Sequence, residues 1–258
     1  MMKFKQITHR LNTLEASVEN LQERRFWLQC QRRYTFQPIY KIDGRLMAIE
    51  LLTLITHPDE PEIRIPPDRY FLSVSSRTCL MVIEEQLNLL REWESIFLGY
   101  GILASVNVDG PTLVAMKDHQ PILALINKMP WVRFELVEHI TQPHAVTLAD
   151  MSEFGPLWLD DFGTGVANFS ALSEMRYDYI KVARDLFIML RNSEEGRNLF
   201  NMLLQLMNRY CKGVIVEGVE TEDEWRDVQN SPAFAAQGYF LSRPIPIEQL
   251  ESVLTRFA

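Results

Sequence analysis

Residues 157–165 read LWLDDFGTG: three apolar residues run into two adjacent carboxylates, Asp160 and Asp161, and then into a glycine-punctuated turn. A short apolar run closed by such a turn reads as a buried strand. Two like charges at the end of that strand are costly to ionise together where water is scarce, unless a cation lies between them. The simpler alternative is that Asp160 serves the turn and Asp161 is solvated, which is a common use of Asp.

The same texture repeats on either side. ILASVNV (102–108), VRFELVE (132–138), YDYIKVA (177–183), GVIVEGV (213–219) and FAAQGYF (234–240) are short β-rich segments. They alternate with helix-like stretches at 77–97, 110–129, 169–175, 192–211, 222–230 and 247–257. Ahead of them, FQPIYKIDGRLMAIELLTL (36–54) joins two apolar segments across Asp43-Gly44, a strong hairpin signal. The two hairpin strands bring the total to eight. Strands alternating with helices predict an α/β fold with a mainly parallel sheet, here an irregular (β/α)8 TIM-like barrel whose first strand runs antiparallel to the rest. Leu11, Leu14, Val18 and Leu21 repeat at helical spacing and predict an amphipathic helix. The expected organisation is therefore an N-terminal helix over 1–29 packed on a barrel domain over 30–258.

Composition narrows the function classes. The 258 residues are 47% hydrophobic and carry a formal net charge of −8, which argues against a binder of nucleic-acid polymers or membrane surfaces. Cys30, Cys79 and Cys211 fall in no metal-ligand spacing and read as reduced thiols. No apolar run is long enough to span a bilayer and the N-terminus lacks a signal-peptide core, so a cytoplasmic protein is expected.

The barrel reading also explains where the polar residues fall. Glu50, Asn107, Glu135, Asp160, Lys181, Glu217 and Gln237 each lie in or at the end of a different expected strand, in otherwise apolar company. Side chains at the C-terminal ends of barrel strands converge on one mouth, where such folds do their chemistry. Any one of them could be a buried polar group satisfied by a neighbour. Four strands donating acids with a single lysine make a core role hard to sustain without cations. Carboxylates with one amide oxygen are hard donors, suited to Mg2+ or Mn2+. Two such cations are the usual device for displacement at phosphorus, which makes phosphodiester hydrolysis the expected reaction class. Neither a phosphate-binding G-x-x-x-x-G-K-[ST] loop nor a G-x-S-x-G nucleophile turn is present.

Glu50-Leu51-Leu52, Asn107, the run from Glu135 to Glu138, DDFGTG at 160–165, Lys181, EGVET at 217–221 and QGYFLSRP at 237–244 resemble, in that order, the motifs of the EAL-domain cyclic di-GMP phosphodiesterases. The likeness covers roughly residues 30–258 and extends to the stand-alone enterobacterial members that favour motility over biofilm formation. It implies cyclic di-GMP as substrate, linear pGpG as product and two Mg2+ or Mn2+ ions per site, with Ca2+ as an inhibitor. Glu50, Asn107, Glu135 and Asp160 would hold one metal and Asp160, Asp161 and Glu217 the other. Lys181 would orient the attacking water, acting with Glu217 and Asp161, and Glu138 would brace the loop carrying DDFGTG. Gln37, Leu52 and Gln237 would contact the substrate, and a homodimer is expected. For the two acids to converge, the strand would have to end between Asp160 and Asp161, because successive strand residues face opposite ways. The sequence departs from the family at Leu51, at Val137 and at Leu54, where the family carries a phosphate-contacting arginine. A degenerate module that binds cyclic di-GMP or a protein partner without turnover is the alternative reading.

Overall fold

The computed structural model describes residues 21–137, 154, 156–164 and 177–254. The chain divides into two units, residues 1–33 with 53–79 and residues 34–52 with 80–258.

In the larger unit, β1 (Gln31–Lys41) and β2 (Leu46–His57) flank the Asp43-Gly44 turn. Gly44 takes φ 87, and the Gly44 N–H donates to the Lys41 carbonyl at 2.8 Å, so the hairpin forms where the Asp-Gly pair placed it. β4 (Leu103–Asp109), β5 (Val132–Val137), β6 (Leu157–Phe162), β7 (Tyr177–Val182), β8 (Gly213–Val216) and β9 (Ala235–Ala236) follow, each pairing parallel with the next. β2 pairs parallel with β4, and β1 pairs antiparallel with β9 and also with β2. The ring β1-β9-β8-β7-β6-β5-β4-β2 thereby closes on itself, an eight-stranded α/β barrel with one strand reversed. A short strand, β10 (Ile245–Pro246), adds to the outer edge of β1 and was not evident in the sequence.

The helices match the expected stretches in place but break more often. The segment expected as one helix over 77–97 is α3 (Ser76–Arg91) and α4 (Glu94–Tyr100), and that over 110–129 is α5 (Gly110–Met116) and α6 (Gln120–Ile126). Pro121 at the start of α6 and the His119 side chain accepting from Ile122 N–H set that second start. α7 (Arg184–Arg191), unforeseen in the sequence, leads into α8 (Glu194–Met207), and α9 (Glu222–Gln229) starts at the N-cap Thr221. The helix expected over 247–257 is a 3-10 helix over Ile247–Val253, and the stretch expected over 169–175 lies outside the described residues.

In the smaller unit, helix α1 covers residues 21–29, strand β3 (Glu60–Ile65) pairs antiparallel with the end of β2, and α2 (Pro67–Ser73) follows. Trp27, Cys30, Ile55 and Tyr70 form its own small core. Of the expected N-terminal helix positions only Leu21 is among the described residues.

Candidate active site

Alternation fixes what the barrel interior contains. Counting inward-facing positions along the strands, Ile39, Ala48, Trp158, Ile215 and Ala235 pack into one apolar cluster with Tyr179 against it. Two residues nearer the mouth stand Gln37, Glu50, Asp160 and Lys181 on their strands and Glu217 and Gln237 one residue past the ends of β8 and β9, and the neighbouring β4 and β5 place Asn107 opposite Glu135. Each of the eight barrel strands therefore gives one polar side chain to a layer above an apolar plug.

The layer is organised around Lys181, which is buried. Its Nζ lies 2.8 Å from Glu135, 2.8 Å from Glu217, 3.2 Å from Glu50 and 3.2 Å from Asp160. Glu50 is bound from three sides, since Asn107 Nδ2 donates to Oε1 at 2.8 Å and Gln237 Nε2 to Oε2 at 2.7 Å, beside the Lys181 contact. Gln237 also donates to Gln37 Oε1 at 3.1 Å, and Gln37 Nε2 donates to the Ser242 carbonyl at 2.9 Å. The two glutamines expected at the substrate thus also brace Glu50. Leu52 is half-buried, two positions past Glu50 on β2.

Asp160 and Asp161 are brought to the same place, but not by the strand ending between them. β6 continues through Phe162, which pairs with Val182, while its register with β7 shifts between Leu159 and Phe162. Asp161 absorbs the irregularity in the left-handed region at φ 53, a conformation that Asp tolerates better than most residues. Gly163 follows at φ 105 and lies so close to Leu186 that a Cβ there would come within 2.5 Å of Leu186 Cδ2. The local fault does what a strand end was expected to do: Asp160, Asp161 and Glu217 each offer a carboxylate oxygen, and these oxygens lie within 4.8 Å of one another.

One ammonium cannot balance this set. Burial works to raise the Glu50 carboxyl, but the Lys181 charge and the hydrogen bonds from Asn107, Gln237 and Lys181 hold it below its ordinary value. Burial, with repulsion from Glu50 and Asp160, drives Glu135 well above the usual carboxylate range despite Lys181. Glu217 is pushed up to about 8, by burial first and by the charges of Asp160 and Glu50 after it. Burial opposes charge on Lys181 as well, yet the four surrounding carboxylates raise it well above an ordinary lysine. Protons are thus retained at a site rich in acids, as expected where cations belong.

The donor set fits divalent cations. It consists of carboxylate oxygens with the Asn107 amide, and the buried Glu135 Oε1 has no hydrogen-bond partner among the described residues. Glu138 lies outside the described residues, as does Gly165. Sequence reasoning passed over Arg184 and Glu224, although T-E-D-E at 221–224 is the S/T-x-x-E pattern of a helix start, where Thr221 Oγ1 indeed accepts from Glu224 N–H.

The family pattern described as EAL domain matches residues 19–244. The chain is 64% identical over 250 residues to the cyclic di-GMP phosphodiesterase PdeH of Escherichia coli K12, covering 97% of this chain and 98% of that protein. Among solved structures, the EAL-like domain protein YdiV superposes with a TM-score of 0.78 at 19% identity, covering 88% of this chain and 97% of that one. The PaMucR phosphodiesterase in complex with c-di-GMP superposes with a TM-score of 0.68 at 22% identity, covering 90% and 98%. No helix among the described residues is long and apolar enough to cross a membrane.

Proposed function

The chain belongs to the EAL domain family and is a cyclic di-GMP phosphodiesterase; we propose that it works with two Mg2+ or Mn2+ ions, one held by Glu50, Asn107, Glu135 and Asp160 and the other by Asp160, Asp161 and Glu217. The observation that carries this reading is the convergence of Asp160, Asp161 and Glu217 oxygens within 4.8 Å of one another. When bound, such cations offset the negative charge that develops at phosphorus and make water more acidic. The product is linear pGpG.

The chain's own residues have separable parts in this reaction. Lys181 is a compact cation with three donors, buried and held from several sides by carboxylates, which suits it to orient the attacking water and damp charge on the attacked phosphate. Gln237 and Gln37 hold the far side of Glu50 and offer amide edges to a guanine or its ribose, with Leu52 as an apolar contact beside them. Glu138 is the proposed brace of the segment carrying DDFGTG. With Leu54 in place of the family's arginine, phosphate binding rests more heavily on the metals, so the change bears on affinity before chemistry.

We propose further that residues 30–258 carry the activity, that Ca2+ inhibits because it takes longer and looser coordination than Mg2+, and that the chain forms a homodimer. By lowering cyclic di-GMP the enzyme would favour motility over biofilm formation. Purified protein incubated with cyclic di-GMP and Mg2+ or Mn2+ should release pGpG, read by chromatography, and Ca2+ should suppress it. Binding of the dinucleotide without product in either metal would instead support a non-hydrolysing module. Light scattering at micromolar concentration should give the mass of a dimer.

A further inference from the structure

Glu224 is a buried carboxylate that the reaction does not use. It lies in the first turn of α9 and faces Arg184, the first residue of α7. The two form a fork-on-fork pair, with Arg184 Nη1 3.0 Å from Glu224 Oε2 and Nη2 3.2 Å from Oε1. Glu220 adds a second carboxylate 3.2 Å from Arg184, and the Glu220 N–H donates to Glu224 at 2.6 Å. Burial works to raise the Glu224 carboxyl, but the Glu220 N–H and Arg184 outweigh it and hold the group charged.

The pair is aimed at one backbone group. Arg184 Nη1 also donates to the carbonyl of Gly218, the residue after Glu217. Gly218 takes φ +67, and a Cβ there would come within 2.6 Å of Arg184 Cβ, so the chain turns tightly against the Arg184 stem at that point. On either side, the Glu217 N–H donates to the Val182 carbonyl at 3.0 Å and the Val219 N–H to the Gln237 carbonyl at 3.0 Å. The turn carrying Glu217 is therefore fixed by backbone bonds to Val182 of β7 and to Gln237, one residue past β9, and its Gly218 carbonyl is held by one guanidinium whose own direction is set by Glu224.

We infer that Arg184, oriented by Glu224, is a positioning residue that sets the angle at which Glu217 presents its carboxylate to the metal pair. The inference rests on the reading of Glu217 as a metal ligand. A planar guanidinium with its fork occupied by Glu224 leaves the Gly218 carbonyl one fixed donor, a restraint that a lysine cannot reproduce. Removal of the clamp frees the 217–219 turn without touching any ligand.

The test uses the full chain and reads Mn2+ binding by calorimetry in the absence of substrate, alongside kcat, KM and the melting temperature. Arg184→Ala should weaken Mn2+ binding by about tenfold or more, the cost typical of losing a group that orients a metal ligand. It should lower kcat by a similar factor and leave KM for cyclic di-GMP within about threefold, because no substrate-facing group is lost. Glu224→Gln, of the same shape without the charge, should move the same quantities in the same direction by less. Arg184→Lys should recover under half of the loss. Unchanged Mn2+ affinity and kcat with a lowered melting temperature would overturn the inference and leave the pair a structural ion pair. If Arg184→Ala does not fold, Glu224→Gln decides by the same criteria. Glu217→Ala is the control: if it retains Mn2+ affinity and turnover, the assignment of Glu217 is what fails; if it loses both while Arg184→Ala loses neither, only the clamp fails.

Discussion

Asp178 and Lys181 stand near opposite ends of the same strand, β7, and each is a buried charge with ion-pair partners, yet their surroundings are opposite. Asp178 is one acid between two cations, with Lys212 Nζ 2.9 Å from Oδ1 and Arg133 Nε 3.4 Å from Oδ2. Lys181 is one cation among four acids. At the lower end the positive charge is sufficient without any further ion, and Lys212 is largely exposed and can shed its excess to water. At the mouth the sum is negative, the groups are enclosed, and Glu135 and Glu217 respond by holding protons. A buried ion cluster that balances itself is structural, whereas one that is short of charge is built for something it binds.

The contrast is broken most directly by deleting one acid from each end. Glu50→Ala should abolish pGpG formation while circular dichroism stays native, since it removes a metal ligand that also anchors Asn107 and Gln237. Asp178→Ala should leave kcat within about twofold, because nothing at the mouth changes, and should cost about 1–3 kcal/mol of stability in urea unfolding, chiefly from the partly buried Arg133 guanidinium left without its carboxylate, since Lys212 can turn to water. Full activity in the first variant, or lost activity in a folded second one, would reverse the assignment of the two ends.

Lys181→Ala sharpens it. Turnover should fall by about 10²–10⁴, as for loss of a positioned electrostatic or proton-handling group, while calorimetry still shows uptake of metal and cyclic di-GMP. Lys181→Arg should not restore the rate, because the guanidinium is larger and planar. If affinity falls in step with rate, the lysine is a phosphate clamp.

A smaller effect follows from the raised carboxyls. A carboxyl whose folded pKa lies above its ordinary value makes the folded state bind more protons than the unfolded one. Its contribution to stability therefore declines as pH rises from the ordinary carboxylate range toward about 8, the value to which Glu217 is pushed. Metal-free protein should melt at a progressively lower temperature across that window, and saturating Mn2+ should flatten the decline. Since a protonated carboxyl cannot ligate, Mn2+ affinity should increase over the same interval. A pH-independent affinity would mean that the mouth is already fully ionised before metal arrives.

Much of this was legible in the sequence because it depends on local chemistry. Asp43-Gly44 placed the hairpin, apolar segments placed β4, β5, β6 and β7 to within a residue but overran the ends of β8 and β9 by three and four and fell short of the outer ends of the hairpin strands, and one polar residue per strand in apolar company marked Glu50, Asn107, Glu135, Asp160, Lys181, Glu217 and Gln237. Errors arose where a short local feature interrupted a longer pattern. Pro121 split one expected helix, and α7 escaped notice because its eight residues follow β7 with only Ala183 between.

By itself, then, the sequence determined the order of the eight barrel strands and the face on which each of their residues lies, because alternation and turn chemistry act over a few neighbouring residues. It could not determine that β6 runs on through Phe162 with Asp161 at φ 53, because a bulge is decided by the register of the partner strand. Nor could it show that Lys181 meets four carboxylates at once, or that Arg184 reaches across to Glu224 and Gly218. Those meetings join residues up to 131 positions apart, and they exist only once barrel closure has fixed strand register and with it the height at which each side chain enters the mouth.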